Sequence, residues 1–312
     1  MATNVHFGVT VPQIKRPWIA TSEAARAFED MGFDSLWLCD HLYGPQSPQL
    51  PIFEAWSTLA ALAAITERVE LGTLVTPVGM RNPAHLGKTI ASIDNIAGGR
   101  VIAGLGGGWM PREFTDFGMP FLSTGERLQQ LDETIQLLRR MWSSEEETSF
   151  SGNFVHADQV VCQPKPPRDV PILIGGAGEK VTLRIVAEQA DMWNNLAGHQ
   201  ANLAHKVDVL KRHCDSVGRD FSDITISQQC LVTIARTEEE AGPMSQRAAQ
   251  IFGGHLGDPL GEMAITGTPQ QCIERIQKHI ELGCTMLMIE FFGKDTREPA
   301  QLFMEEVAPE FS

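Results

Sequence analysis

Two short stretches of this chain hold residues that could do chemistry. The first is Pro171-Ile-Leu-Ile-Gly-Gly-Ala-Gly-Glu-Lys180, where an apolar run typical of a buried strand meets a glycine turn. Leu183, Val186 and Ala190 then repeat at helical spacing. Such a turn brings backbone N–H groups and the positive end of a helix dipole to a phosphate. The glycines could equally make only a tight strand-to-helix turn, so two interpretations stay open on the motif alone.

The second stretch is Asp40-His41, which directly follows the apolar segment Ser35-Leu-Trp-Leu-Cys39. Histidine titrates near neutral pH, so His41 is our candidate for the group that exchanges a proton with a substrate. Alternatively, His41 only hydrogen-bonds a ligand or a neighbouring carbonyl group. We pair Asp40 with His41 as a candidate catalytic residue. Because adjacent strand residues point to opposite faces, Asp40 is expected to act by accepting hydrogen bonds, or to be a structural carboxylate.

Composition narrows the classes of function. The chain has 312 residues, of which 43% are hydrophobic and 21% charged, which is ordinary for a globular protein. Its net charge of −14 disfavours nucleic acid and anionic membranes, because clustered Lys and Arg bind both. The six cysteines show no CxxC or CxxH spacing, so we expect neither disulfides nor a metal site. With no signal-peptide pattern and no apolar run near ~20 residues, we expect a cytoplasmic protein.

The elements that must position these residues alternate between strand and helix. Apolar segments predict eight strands: Val5–Val11, Ser35–Cys39, Val69–Val75, Val101–Leu105, Ile172–Ile174, Asp191–Trp193, Ile224–Ala235 and Thr285–Glu290. Helical patterns separate them, and eight such units indicate an α/β fold, the TIM (β/α)8 barrel. We expect one domain, residues 1–312, with segments inserted at the C-terminal face at about 106–124, 145–167 and 253–268. The second insertion contains a predicted hairpin.

Chemistry in a TIM barrel lies at the C-terminal ends of the strands. That rule selects Pro12, Gln13, Asp40, His41, Thr76, Gly106 to Trp109, Gly175 to Gly178, Asn194, Glu290 and Phe291. The rival fold is a doubly wound nucleotide-binding sheet, supported by Gly104-Leu-Gly-Gly-Gly-Trp109. However, Trp109 occupies the third glycine of that fingerprint, and the motif follows the fourth strand instead of the first. The barrel therefore fits the sequence better.

Several motifs, in chain order, resemble one family. They are Gly32-Phe-Asp-Ser-Leu-Trp-Leu-Cys-Asp-His41, Leu71-Gly-Thr-Leu-Val-Thr-Pro77, Gly98-Gly-Arg-Val-Ile-Ala-Gly-Leu-Gly-Gly-Gly-Trp109, Pro171-Ile-Leu-Ile-Gly-Gly-Ala-Gly178 and Gly267-Thr-Pro269. Through them nearly the whole chain resembles the bacterial luciferase-like flavin oxidoreductases, and within these the branch that uses the 8-hydroxy-5-deazaflavin coenzyme F-420. FMN-dependent relatives share much of this framework. The resemblance implies a luciferase-like barrel with the flavin-type ring across the strand ends, and a homodimer.

The resemblance also assigns positions around the coenzyme. It places the phosphate at the glycine turn and brings the loop after strand four close to the ring. It implies a non-proline cis peptide in strand three, near Leu74–Val75. The expected coenzyme-binding residues are therefore Leu74, Val75, Thr76, Gly106, Gly107, Gly108, Gly175, Gly176, Ala177, Gly178 and Asn194.

The reaction that the resemblance implies is hydride transfer between the deazaflavin and a small organic substrate, with His41 as proton donor or acceptor. Trp109, Phe291 and His255 are expected to line the substrate pocket. Trp109 stands where the family's sugar-phosphate dehydrogenases carry an acidic residue, and an indole is neither an acid nor a base, so the sequence argues against that reaction. The alternatives are an FMN-dependent monooxygenase of the same family and a flavin-binding barrel without turnover.

Overall fold

The structure is a computed structural model that describes residues 5–44, 47–252 and 256–311. Its strands are β1 (His6–Thr10), β2 (Ser35–Leu38), β3 (Glu70–Thr73), β4 (Thr76–Pro77), β5 (Val101–Gly106), β6 (Thr148–Ser151), β7 (His156–Val160), β8 (Ile172–Gly175), β9 (Met192–Asn195), β10 (Thr225–Ile234), β11 (Thr266–Gly267) and β12 (Met286–Phe291). Strands β1, β2, β3, β5, β8, β9, β10 and β12 pair in parallel in that order, and β12 closes on β1. The predicted eight-stranded barrel is confirmed.

Helices cover the outside of the barrel. They are α1 (Trp18–Met31), α2 (Ala55–Ala63), α3 (Pro83–Ile96), α4 (Pro111–Thr115), α5 (Thr124–Trp142), α6 (Thr182–Gln189), α7 (Leu203–Val217), α8 (Glu238–Phe252), α9 (Pro269–Glu281) and α10 (Arg297–Glu306). Capping boxes start α5 at Ser123 and α9 at Thr268. Gly32 ends α1 with φ of 101°, a left-handed conformation that glycine adopts without strain. The sequence had predicted each of these helices except α4.

The barrel interior is filled by a small apolar cluster. Residues from four strands meet there, fully buried: Trp37, Ile102, Leu173, Met286 and Met288. The indole of Trp37 occupies the space over two neighbouring strands, because a Cβ added at Gly8 or Gly72 would lie 2.5 or 2.4 Å from its ring. Glycine on β1 and β3 therefore makes room for one large side chain in the barrel.

A larger cluster fills the layer between strands and helices. In β12, Leu287, Ile289 and Phe291 belong to this outer cluster, whereas Met286 and Met288 belong to the interior one. This is the alternation that a strand requires. Both faces of the barrel strands are therefore buried, as the continuous apolar runs predicted.

Strands β3 and β4 are two halves of one barrel strand, separated by Leu74-Val75. Four steps from Gly72 to Thr76 lie opposite three steps from Ile102 to Leu105 on β5, so one extra residue forms a bulge. The Leu74–Val75 peptide bond is cis. The cis peptide predicted from the family resemblance is thus present at the expected position.

Glycines surround this bulge. A Cβ added at Gly104 would lie 1.7 Å from the carbonyl oxygen of Thr73. The side chain of Val75 lies where Cβ atoms of Gly106 and Gly175 would be, at 2.7 and 2.9 Å from those positions. The glycines at the ends of β5 and β8 therefore leave space for a side chain of the bulge.

The predicted hairpin in the second insertion is present as β6 and β7, paired antiparallel. Because residues 145–167 join the end of α5 to the start of β8, they enter from the N-terminal end of the barrel. This corrects the expectation that the insertion lies at the C-terminal face. The hairpin runs along α5, where the Glu133 carboxylate accepts the N–H groups of Asn153, Phe154 and Val155 at 2.8–2.9 Å.

The described residues also limit other kinds of chemistry. None of their helices has the length and apolar character needed to cross a membrane. They contain no group of three or more His, Cys, Asp or Glu side chains that could hold a metal ion. All six cysteines carry free thiols.

We predict that Gly104→Ala destabilises the fold by about 3 kcal/mol or more, because the new methyl group would overlap a backbone oxygen that cannot move without disrupting β3. Urea unfolding of the purified variant measures this. The control is Gly125→Ala in the first turn of α5, where nothing lies within 4 Å of the added Cβ. It should be neutral, or stabilising by up to about 1 kcal/mol. Equal stability of the two variants would contradict the close approach of Gly104 to the Thr73 carbonyl group.

Candidate active site

His41 lies just beyond the end of β2, beside a carboxylate that the sequence motifs did not single out. Its Nδ1 lies 2.8 and 3.0 Å from the two carboxylate oxygens of Glu113. The same carboxylate accepts the backbone N–H groups of Leu42 at 2.7 Å and Tyr43 at 3.1 Å. Glu113 is only 1% exposed. It therefore fixes both the imidazole ring and the backbone that follows it.

The helix that carries Glu113 was not predicted, because it has only five residues and lies within the first insertion. It starts at Pro111, which suits a first helical position. Phe114 is buried, and its ring would lie 2.9 Å from a Cβ at Gly108, whose φ is 75°. The available signal was Pro-Arg-Glu-Phe after the glycine run, since proline starts a helix and an acidic residue favours its first turn.

Trp109 stands at the edge of this pair. Its ring centroid lies 5.8 Å from that of His41, at an interplanar angle of 78°. The side chain is 55% exposed. Trp109 thus offers an apolar surface next to the imidazole, and its role in a substrate pocket stays a prediction.

Asp40 belongs to a buried network. Its carboxylate accepts two hydrogen bonds from Arg81, at 2.7 and 2.9 Å, and one from the Thr76 hydroxyl at 2.7 Å. The Thr76 oxygen accepts a bond from the indole N–H of Trp56 at 2.9 Å, and Arg81 also pairs with Glu54. Burial raises the pKa of Asp40, and the Arg81 charge opposes that effect. These contacts tie the end of β2 to β4 and use the Thr76 hydroxyl that we had expected at the coenzyme.

The glycine turn joins β8 to α6 as predicted. Gly176 has φ of 139°, and a Cβ at Gly178 would lie 2.7 Å from the Thr182 hydroxyl. Both glycines are therefore required by the shape of the turn, whatever it binds. In the described part of the chain, no hydrogen bond uses the backbone N–H groups of residues 177–180. These groups remain available to an anion.

Asn194 lies next to this turn, because Gly175 and Asn194 are paired between β8 and β9. Asn194 is fully buried, and its side-chain oxygen accepts a bond from the Ser227 hydroxyl at 3.0 Å. Its amide Nδ2 has no hydrogen-bond partner in the described structure. A buried donor without a partner is uncommon and marks a place where a ligand can complete the bonding.

The structure brings most of the expected coenzyme residues to one arc of the barrel. The side chain of Val75 packs over Gly106 and Gly175, and Asn194 is paired with Gly175 across β8 and β9. The carbonyl group of Gly107 accepts a bond from Arg127 at 3.1 Å. Gly106 to Gly108 then lead into α4 and so to the partner of His41.

Phe291 does not line the open end of the barrel. It is 4% exposed and packs with Phe33 and Phe303, at centroid distances of 6.1 and 5.6 Å, in the layer between strands and helices. This corrects the expectation, because alternation along β12 turns Phe291 outward and Glu290 inward. His255, the third residue expected in the pocket, lies outside the described residues.

Comparison with known proteins identifies the family. The model of the luciferase-like monooxygenase family matches residues 2–257, so the chain belongs to that family. This confirms the resemblance found in the motifs.

Relatives and solved structures extend the comparison. An F420-dependent glucose-6-phosphate dehydrogenase of Microbacterium testaceum is 26% identical over 311 residues, covering 90% of both chains. An uncharacterized protein of Mycobacterium tuberculosis, Rv0953c, is 31% identical over 206 residues, covering 61% of this chain and 71% of the relative. An F420-dependent secondary alcohol dehydrogenase superposes with a TM-score of 0.83 at 19% identity, covering 99% of both chains. The tetrahydromethanopterin reductase of Methanopyrus kandleri superposes with a TM-score of 0.81 at 19% identity. This superposition covers 99% of this chain and 100% of the reductase. These structures share the fold.

We predict that Glu113→Ala lowers the free energy of unfolding by about 2–4 kcal/mol, because the change leaves two partly buried N–H groups and the His41 ring without their acceptor. Thermal unfolding measures the loss. The control is Asp116→Ala, which removes a carboxylate paired with Arg112 from the exposed side of the same segment and should leave the melting temperature unchanged. Equal melting temperatures of the two variants would show that Glu113 does not stabilise the segment after β2.

Proposed function

We propose that this protein is an oxidoreductase that transfers a hydride between the deazaflavin coenzyme F-420 and a small organic substrate. The observation that carries the proposal is the alignment, over 90% of both chains, with a dehydrogenase named for F420. The site supports it, because a histidine–carboxylate pair and a glycine turn lie at the same end of one barrel. The predicted homodimer and the cytoplasmic location remain predictions.

The described residues fit such a coenzyme. The unpaired amide N–H of Asn194 can donate to a ring carbonyl at the strand ends. The N–H groups of residues 177–180 lie between β8 and α6, where a phosphate can accept them. The expected coenzyme contacts Leu74, Val75 and Gly106 border the same arc. The ring would therefore lie across the bulge, with its phosphate at the glycine turn.

The coenzyme supplies hydride chemistry, and the protein must supply the proton. Because Nδ1 of His41 is held by Glu113, its Nε2 is the atom left to face a substrate, and no described residue bonds to it. A carboxylate on one ring nitrogen orients the imidazole and favours a proton on that nitrogen. His41 is therefore proposed as the group that gives or takes the substrate proton, and Glu113 as its positioning residue.

Asp40 has a different role in this proposal. Its carboxylate is buried and holds Arg81 and Thr76, so it has no free oxygen directed at a substrate. We therefore propose Asp40 as a positioning residue for the end of β2, one residue before His41. This replaces the pairing of Asp40 with His41 as catalytic residues.

The second candidate function is an FMN-dependent monooxygenase. The name of the matching family and a structural neighbour, a monooxygenase from Streptomyces bottropensis with a TM-score of 0.79 at 23% identity, favour it. The superposition with that neighbour covers 98% of this chain and 100% of the neighbour. A flavin-binding barrel without turnover is the third possibility. The intact His41–Glu113 pair argues against it, because a site without catalytic use has no need for an oriented imidazole.

A titration of the purified protein with coenzyme F-420 and with FMN tests the proposed coenzyme. We expect F-420 to bind at least about 100-fold more tightly, a difference of roughly 2.7 kcal/mol. Fluorescence of each coenzyme measures the binding. Tight FMN binding with oxygen consumption would support the monooxygenase instead. Binding of neither would reject both.

His41→Ala tests the proton role. We expect kcat to fall by about 10²–10⁴-fold, the range found for a positioned acid or base, while the Kd for F-420 changes less than about threefold. The control is His85→Ala, which removes an exposed histidine from α3 and should change neither quantity. Steady-state kinetics and the fluorescence titration give the two readouts. Full turnover in the His41 variant with coenzyme bound would reject this role.

A further inference from the structure

Glu290 points into the open end of the barrel from the last strand. In β12, Met286 and Met288 belong to the interior cluster, and Leu287 and Ile289 to the outer one. Because side chains alternate along a strand, Glu290 continues the inward row at the C-terminal end. It is partly exposed, whereas the two methionines are fully buried. Its carboxyl group therefore borders the mouth of the barrel, above the apolar cluster.

The groups around Glu290 are partly polar and partly apolar, and no positive charge in the described part of the chain acts on its carboxyl group. Thr10 ends the neighbouring β1, and its hydroxyl donates to the Ile289 carbonyl at 3.3 Å. On the other side Leu231 of β10 is paired with Glu290, and Gln229, partly exposed, lies beside Met288, two residues earlier on the same strand. Cys39 follows β2, and burial, with a smaller contribution from the negative charge of Glu290, raises the pKa of its thiol to about 12. The thiol is therefore neutral near pH 7, and it donates to the side-chain oxygen of Gln13 at 3.3 Å.

Glu290 differs from three other buried carboxylates of this chain, each of which is held by several partners. Asp40 is held by Arg81, Glu113 by an imidazole and two N–H groups, and Glu133 by three N–H groups. The side-chain carboxyl group of Glu290 forms no hydrogen bond or ion pair with any residue in the described part of the chain. A carboxyl group that is partly removed from water and has no partner in the protein is less stable than a paired one, and such groups concentrate at functional sites.

Charges on nearby segments do not offset this burial. Arg16 donates to the Lys294 carbonyl at 3.0 Å, and its charge acts on Asp295. Burial alone raises the pKa of Glu290 to about 7. A second negative charge beside it, in this partly buried position, would be repelled by the ionised carboxylate. A ligand group that donates a hydrogen bond, or carries a positive charge, would instead relieve the unpaired carboxyl.

We propose that Glu290 binds the substrate, and that the substrate is an uncharged or cationic molecule offering an O–H or N–H group, such as an alcohol or amine, and not a phosphate ester. The inference rests on the proposed function, because it assumes that the coenzyme occupies the arc from the bulge to the glycine turn and leaves β12 and β1 to the substrate. A substrate without a phosphate group would distinguish this chain from the relative named as a glucose-6-phosphate dehydrogenase.

Three probes of one shape test the charge preference: benzylamine, benzyl alcohol and benzoate. Calorimetry measures their binding to the full-length protein, with and without bound F-420, at several pH values. We expect benzylamine to bind at least about tenfold more tightly than benzoate, as for a charge-assisted hydrogen bond. The preference for benzylamine over benzyl alcohol should grow as the pH rises from about 6 to about 8, because Glu290 ionises over that range.

Glu290→Gln keeps the size of the side chain and removes its charge. In this variant the preference for benzylamine over benzoate should shrink to less than about threefold and lose its pH dependence, while the Kd for F-420 stays unchanged. The control is Glu281→Gln, an exposed glutamate at the end of α9, which should behave as wild type.

Each outcome bears on the proposal. Equal binding of benzoate and benzylamine, binding of none of the probes, or a preference that survives in Glu290→Gln overturns it. Weaker F-420 binding in Glu290→Gln would place the carboxyl at the coenzyme and also overturns it. Failure of the wild type to bind F-420 instead rejects the proposed function, and the probe ranking without coenzyme still decides the role of Glu290.

Discussion

The open end of the barrel depends on the packing of Val75 against two glycines. The bulge between β3 and β4 directs this side chain into the space that Gly106 and Gly175 leave free. Gly106 ends β5 and leads to the helix of Glu113, and Gly175 ends β8 and leads to the glycine turn. The packing of one side chain therefore connects the two parts of the site. Close packing explains this, because a rigid interior transmits the shape of one side chain to its neighbours.

Two carboxylates with different partners lie at the segment that follows β2. Asp40 is bound by a guanidinium group and a hydroxyl inside the protein, so its negative charge is neutralised within the scaffold. Glu113 reaches His41 from another segment and leaves the second imidazole nitrogen unbound by any described residue. Trp109 lies beside the same imidazole, and Glu113 follows Trp109 by four residues in the chain. The segment after β5 therefore places both an indole ring and a carboxylate next to His41.

The balance of charge fits a site that binds an anion through its backbone. The protein carries a net charge of −14. At the glycine turn, backbone N–H groups and the start of α6 offer partial positive charge without a cationic side chain. The carboxyl of Glu290 lies on a different strand, with no described cation beside it. The partial positive charge of the glycine turn would thus favour an anionic coenzyme on one side of the barrel mouth. The Glu290 carboxyl would favour an uncharged or cationic substrate on the other side.

The sequence alone determined the repeating architecture and the location of most of the site. Apolar runs and helical periodicity are local signals, and they predicted eight parallel strands, the strand ends with His41 and the glycine turn, and, with the family motifs, the bulge at Leu74–Val75. Only the tertiary structure decided which side chains meet. Glu113 was missed because its bond to His41 spans 72 residues, and Phe291 was misplaced because the direction of a strand side chain depends on register. Contacts between distant segments depend on how the barrel closes, and no local pattern records that geometry.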